Sequence, residues 1–186
     1  MRISYNSPVI LTFTVICAIV MLLESVLLPG ITRAAFTVYP SFSFLNPLDY
    51  LRIFSHAIGH ANWAHLVSNF TFILLLGPIL EEKYGSKHLL IMMFVTALIT
   101  GILNVLFFST GLLGASGIVF MLIILSSITN IRQGEIPLTF ILISLLFLGQ
   151  EFLSAFKNDN ISQFAHIIGG VCGGFFGLRF AKPKNG

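Results

Sequence analysis

The chain has 186 residues, and it is 56% hydrophobic against 9% charged, with a mean hydropathy of +0.95. Soluble domains carry about 25% charged residues, so the composition excludes an ordinary soluble fold and predicts a single all-α integral membrane domain over 1–186. The net charge of +3 is spread over ten Lys and Arg standing singly or in pairs; without a basic stripe, no nucleic-acid partner is expected.

A helix that crosses the hydrocarbon core needs about 20 apolar residues. Six stretches come close, at about 8–29, 62–82, 88–108, 113–130, 136–153 and 162–181, and they predict a six-transmembrane-helix bundle. The first follows Arg2 but outruns the roughly 7–15 apolar residues of a signal peptide, so it is expected to be retained. It carries Glu24 near its outer end, an intramembrane acid that raises a small-transporter reading. Cys17 and Cys172 lie inside apolar runs and suggest no disulfide.

About thirty residues separate the first two stretches, including the aromatic segment Tyr39–Pro47. A connection of that length is expected to be partly structured, and its rings suit the outer interface. Pro78 is expected to bend the second helix, and Glu81, Glu82, Lys83 and Lys87 read as interfacial charges. The tail Lys182–Gly186 reads as a solvated end touching anionic lipid.

An even number of spans puts both termini on one side. Arg2, Lys83, Lys87, Arg132, Arg179, Lys182 and Lys184 share that side, against Arg33, Arg52 and Lys157 opposite, so both termini are expected in the cytoplasm of a multi-pass plasma-membrane protein. The second, fourth and sixth helices then all enter from the outer face. His65, Asn69, Ser116 and His166 fall a few residues inside their entry points, within roughly 5–10 Å of the outer boundary.

Four polar groups at matching depth point to acyl chemistry. Ser116 stands in Gly114-Ala115-Ser116-Gly117, where two glycines leave room beside the hydroxyl and a helix start supplies unpaired N–H groups. The spacing is not the G-x-S-x-G elbow of soluble hydrolases. His65 and Asn69, four apart, share one helix face. Taken alone they would read as a bond between neighbouring helices. His166 precedes Gly169, Gly173 and Gly177, a face without side chains that lets another helix approach closely. If that face packs on the fourth helix, His166 can serve Ser116 as its base. No carboxylate has a spacing that ties it to His166, so a Ser116–His166 dyad is expected, with Phe120 steadying the imidazole. Asn69, His65 and the Ser116 N–H would meet the developing oxyanion. His56, His60 and His65 fall within ten residues but lack the glutamate of an H-E-x-x-H helix. No metal or other cofactor is expected, and His56 and His60 are expected to tie the long loop to the head of the second helix.

These residues resemble the rhomboid family of intramembrane serine proteases. The matching pieces are His56-x3-His60-x4-His65-x3-Asn69, Glu81-x3-Gly85, Gly114-Ala115-Ser116-Gly117 and Ala165-His166-x2-Gly169, spread over roughly residues 50–178. Two positions depart from the family pattern: Leu51 precedes Arg52 where the family often has Trp, and Phe120 replaces a common Tyr. The resemblance implies a rhomboid-like core and cleavage in or near another membrane protein's transmembrane helix, with Ser116 as nucleophile and His166 as base and acid. The substrate would enter past the fifth helix, and its helix must unwind locally before attack, so weakened helices are favoured. The competing readings are a catalytically silent relative that binds membrane helices and a small transporter.

Overall fold

In a computed structural model the described residues are 4–131, 138, 141–142, 145–146 and 160–180. They form helices α1 (Pro8–Val26), α2 (Pro47–Ser55), α3 (Trp63–Tyr84), α4 (Ser86–Phe107), α5 (Ser116–Ile131) and α6 (Asn160–Phe180), with a short π-helical turn at Thr32–Phe36. Among the described residues there is no strand, only an isolated bridge between Val38 and Leu112. Helices α1, α3 and α4 are long and apolar enough to cross a membrane, while the apolar lengths of α5 and α6 run over Ser116–Ile128 and Phe164–Phe180. Most of the stretch expected at 136–153 lies outside the described residues, as do Arg2 and the tail Lys182–Gly186; positions 138, 141, 142, 145 and 146 are helical.

The helix ends follow local chemistry. Pro8 and Pro47 occupy first-turn positions of α1 and α2, where a missing N–H costs nothing. The Asn62 side chain accepts the His65 N–H at 2.9 Å and starts α3. Gly85, at φ +81°, turns α3 into α4 in a single residue, a backbone conformation that favours glycine. Pro78 sits inside α3, which continues past it to Tyr84.

Two glutamates differ from their expected roles. Glu81 is buried, not an ordinary surface charge: its carboxylate accepts from the Val9 and Ile10 N–H groups and from the Ser86 hydroxyl, joining the starts of α1 and α4 to the end of α3. Glu24 accepts from the Gly30 and Thr32 N–H groups at 2.9 Å each, so it caps the turn that follows α1.

These bonds fix the directions of the helices. Glu81 gathers the starts of α1 and α4 with the end of α3 at one end of the bundle. At the other end the Trp63 indole N–H donates to Ser25, and the Gly114 N–H donates to the His56 carbonyl, so α3 and α5 both begin there. Phe180 lies against His88 at the Glu81 end, which makes α6 run with α3 and α5. Three helices therefore carry their first turns, and the candidate site, to one end.

Helix α5 is the centre. Ile118, Val119, Phe120, Met121, Leu122, Ile123 and Leu125 are all buried, as a helix apolar on every side must be. Its contact with α6 is made backbone to backbone: a Cβ on Gly169 would lie 2.0 Å from the Gly117 carbonyl oxygen, and one on Gly173 2.4 Å from that of Met121. No side chain fits at either place.

The connection from α1 to α3 is held from several directions. The Arg52 guanidinium pairs with Asp49, donates to the Ala34 carbonyl and lies over the Tyr39 ring. Asp49 also accepts the Ser43 N–H, which with Arg52 holds its carboxyl below the ordinary range. Asp49 and Arg52 thus hold this connection in its own shape.

Candidate active site

Gly114 is the pivot. It sits at φ +118°, and a Cβ there would lie 2.6 Å and 2.7 Å from the His65 ring atoms Cε1 and Nε2, and 3.7 Å from Asn69 Nδ2. Both backbone conformation and space require glycine. Asn69 is buried, and its Nδ2 has no acceptor among the described residues. A buried amide donor is costly to leave unmade, and this one lies beside the turn that precedes Ser116.

Ser116 is the first residue of α5 and is partly exposed, between buried Ala115 and Gly117. The first backbone bond of this helix runs from the Val119 N–H to the Ala115 carbonyl. The N–H groups of Ser116, Gly117 and Ile118 therefore lie before the intrahelical ladder and form the positive end of the helix dipole.

His166 is brought to the same helix by packing. Its ring stacks on Phe120, one turn after Ser116, with centroids 4.2 Å apart and planes 11° from parallel. The position needed for a Cβ on Gly117 is 3.3 Å from the carbonyl oxygen of Ala165, the residue before His166. Close approach of α5 and α6 at Gly117 and Gly169 is what lets the imidazole reach this depth. His166 is 4% exposed.

His56 and His60 stand behind this group. His56 lies with its Nε2 3.1 Å from the Ala97 carbonyl and 3.4 Å from the Thr100 hydroxyl, so its side chain is tied to α4, not to the head of the second membrane helix as expected from sequence. Its own carbonyl holds Gly114 through the Gly114 N–H, at 2.9 Å. His60 bonds locally to the Ile58 carbonyl and places its ring edge-on to His65, centroids 5.1 Å apart. Burial pushes both loop histidines down to about 4, with the nearby His65 adding to the effect on His60.

The sequence reading missed the polar stripe of α4. Thr96, Thr100 and Asn104 are buried and stand four apart, and Asn104 Nδ2 donates to the Thr110 carbonyl in the turn before α5. Polar residues repeated every turn through an otherwise apolar helix were the available signal. The carboxylates Glu24, Asp49 and Glu81 are occupied elsewhere, and Glu135, Glu151 and Asp159 lie outside the described residues.

Residues 47–183 match the Rhomboid domain. The chain belongs to the rhomboid family. Over 136 residues this rhomboid is 24% identical to the Rhomboid protease GlpG of Haemophilus influenzae, across 72% of the chain and 71% of the relative. Family and apolar helices together make it an integral membrane protein with a helical bundle fold. The matched region takes in α2 through α6, including every candidate site residue from His56 to Gly169.

Proposed function

We propose that this rhomboid is an intramembrane serine endopeptidase acting through a Ser116–His166 dyad. The observation that carries the reading is the His166 ring stacked on Phe120, one turn beyond Ser116, while Gly114 seats His65 and Asn69 against the turn that precedes the serine. Similarity to a rhomboid protease supports the reaction class.

In this mechanism His166 takes the proton from the Ser116 hydroxyl as the oxygen attacks a peptide carbonyl. The C–O bond forms as the carbonyl π pair moves onto oxygen. That oxyanion is met by Asn69 Nδ2, His65 and the Ser116 N–H. The Asn69 amide donor bonds the charged oxyanion more strongly than a neutral carbonyl, so the interaction favours the transition state over the ground state. His166 then protonates the departing amine. Water, deprotonated by His166, releases the acyl group and restores the serine.

The substrates are membrane proteins whose transmembrane segment unwinds easily, since a helical carbonyl is already hydrogen-bonded. Both termini lie in the cytoplasm and the site opens near the outer face, on the positive-inside distribution of Lys and Arg. The whole of 1–186 acts as one catalytic domain.

Labelling with a fluorophosphonate probe in detergent or liposomes tests the dyad. Wild type is expected to react at Ser116, and Ser116→Ala and His166→Ala to lose the label while keeping the wild-type melting profile. Equal labelling of His166→Ala would remove the imidazole from the mechanism.

A further inference from the structure

A cavity of about 480 Å³ lies between α1, α4 and the end of α2 with the residues that follow it, and Ile118 of α5 also borders it. Its volume falls within the roughly 300–1,000 Å³ of ordinary ligand sites. The walls are apolar: Phe13 and Ile16 from α1, Phe54 from α2 and Ile58 just after it, Leu90 and Phe94 from α4. The two hydroxyls that border it are already bonded, Thr12 to Tyr5 and Ser86 to Glu81. Nothing in the lining asks for a polar ligand.

Length and depth identify the occupant. On α4 the cavity runs from Ser86 to Ala97, eleven steps of about 1.5 Å or about 16 Å along the axis. Half of a hydrocarbon core of about 30 Å is about 15 Å. The cavity starts where α1 and α4 start, beside Pro8 and Ser86, and so extends through one leaflet and stops near mid-membrane. It is open on the side where Ile16, Leu90 and Phe94 are exposed, the surface that lipid covers. Water does not fill an apolar hollow, and an empty one forfeits dispersion contacts along its lining.

We infer that this cavity holds one acyl chain of a phospholipid from the leaflet in which α1 and α4 begin. The chain is walled in by α1, α4 and the end of α2 with the residues that follow it, and reaches Ala57, next to His56, and Ile118, two residues after Ser116. It thereby fills the space between the long loop and the start of α5. The inference is independent of the peptidase reading.

The test uses the full-length protein in dodecyl maltoside with a phosphatidylcholine carrying a dibrominated stearoyl chain, whose bromines quench nearby tryptophan. In a Trp63→Phe background, Phe94→Trp reports on the cavity and Leu75→Trp on an exposed face of α3. Quenching of the first is expected to saturate at stoichiometric lipid, and quenching of the second to grow only with the lipid content of the micelle. Thr12→Phe and, separately, Ile16→Phe fill the cavity, and either should abolish saturation at position 94 while the melting profile is kept. Proportional quenching at both reporters would overturn the inference, as would saturation that survives both filling substitutions. Detergent or the chain itself as occupant would give the first of these results.

Discussion

The Phe120 ring covers one face of the His166 imidazole, the support that a base at this position would need. The stack of 4.2 Å and 11° holds the ring flat against Phe120. Phe120→Leu keeps the apolar volume and removes the planar support. We expect kcat on a reconstituted helical substrate to fall by roughly 10- to 100-fold, with KM changed less and the melting temperature nearly kept, because misplacement by about 1 Å is that costly. An unchanged kcat would show that Phe120 does not position the imidazole. His56 and His60 act on stability instead. Burial holds them neutral, down to about 4 from an ordinary 6.5, so the unfolded chain binds protons that the folded loop refuses. Stability is therefore expected to be full above about pH 7, to fall as pH drops from 6.5 towards 4, and to level off below that range. His56→Gln should make the melting temperature less sensitive to pH across this window; an unaltered slope would assign the titration to other groups.

At the scale of elements, two neighbouring glutamates show what a pattern can and cannot reveal. Glu81 and Glu82 have the same charge, the same sequence context and the same end of α3, yet Glu81 is buried under three donors and Glu82 is exposed. The difference is a rotation of 100° on the helix, decided by which face meets α1, and hydropathy averaged over a window does not resolve it. We expect Glu81→Ala to destabilise the bundle by roughly 1–3 kcal/mol, the cost of a lost cap with charge-assisted bonds, and Glu82→Ala to have little effect; equilibrium unfolding in mixed micelles measures both. Helices α1, α3 and α4 were legible as spans because each apolar run had to be continuous. The α5–α6 contact was legible too, since Gly169, Gly173 and Gly177 mark a face without side chains, which the Gly117 and Met121 backbone and the Ile128 side chain cover. What His56 bonds to was not, because its partner is a main-chain carbonyl of α4, and backbone acceptors carry no sequence signature.

For the molecule as a whole, the candidate site depends on direction more than on any single contact. Helices α3, α5 and α6 begin at one end, where His65, Asn69, Ser116 and His166 all fall within the first turns of their helices, and Glu81 closes the other end. The shared direction of α3, α5 and α6 agrees with the one expected from sequence, while the threonine repeat of α4 was visible there without its bonding, since Thr96 and Thr100 satisfy their hydroxyls on the preceding turn. Which end faces outward rests on the positive-inside bias, and that bias makes a prediction of its own. Cys17 and Cys172 are buried, so an introduced thiol reports without interference. Ser41→Cys sits on the exposed loop at the site end, and Lys83→Cys on the exposed end of α3. In intact cells an impermeant maleimide is expected to label position 41 directly and position 83 only after permeabilisation. The reverse pattern would put the serine within reach of cytoplasmic water, and with it the class of membrane proteins whose helices this rhomboid meets.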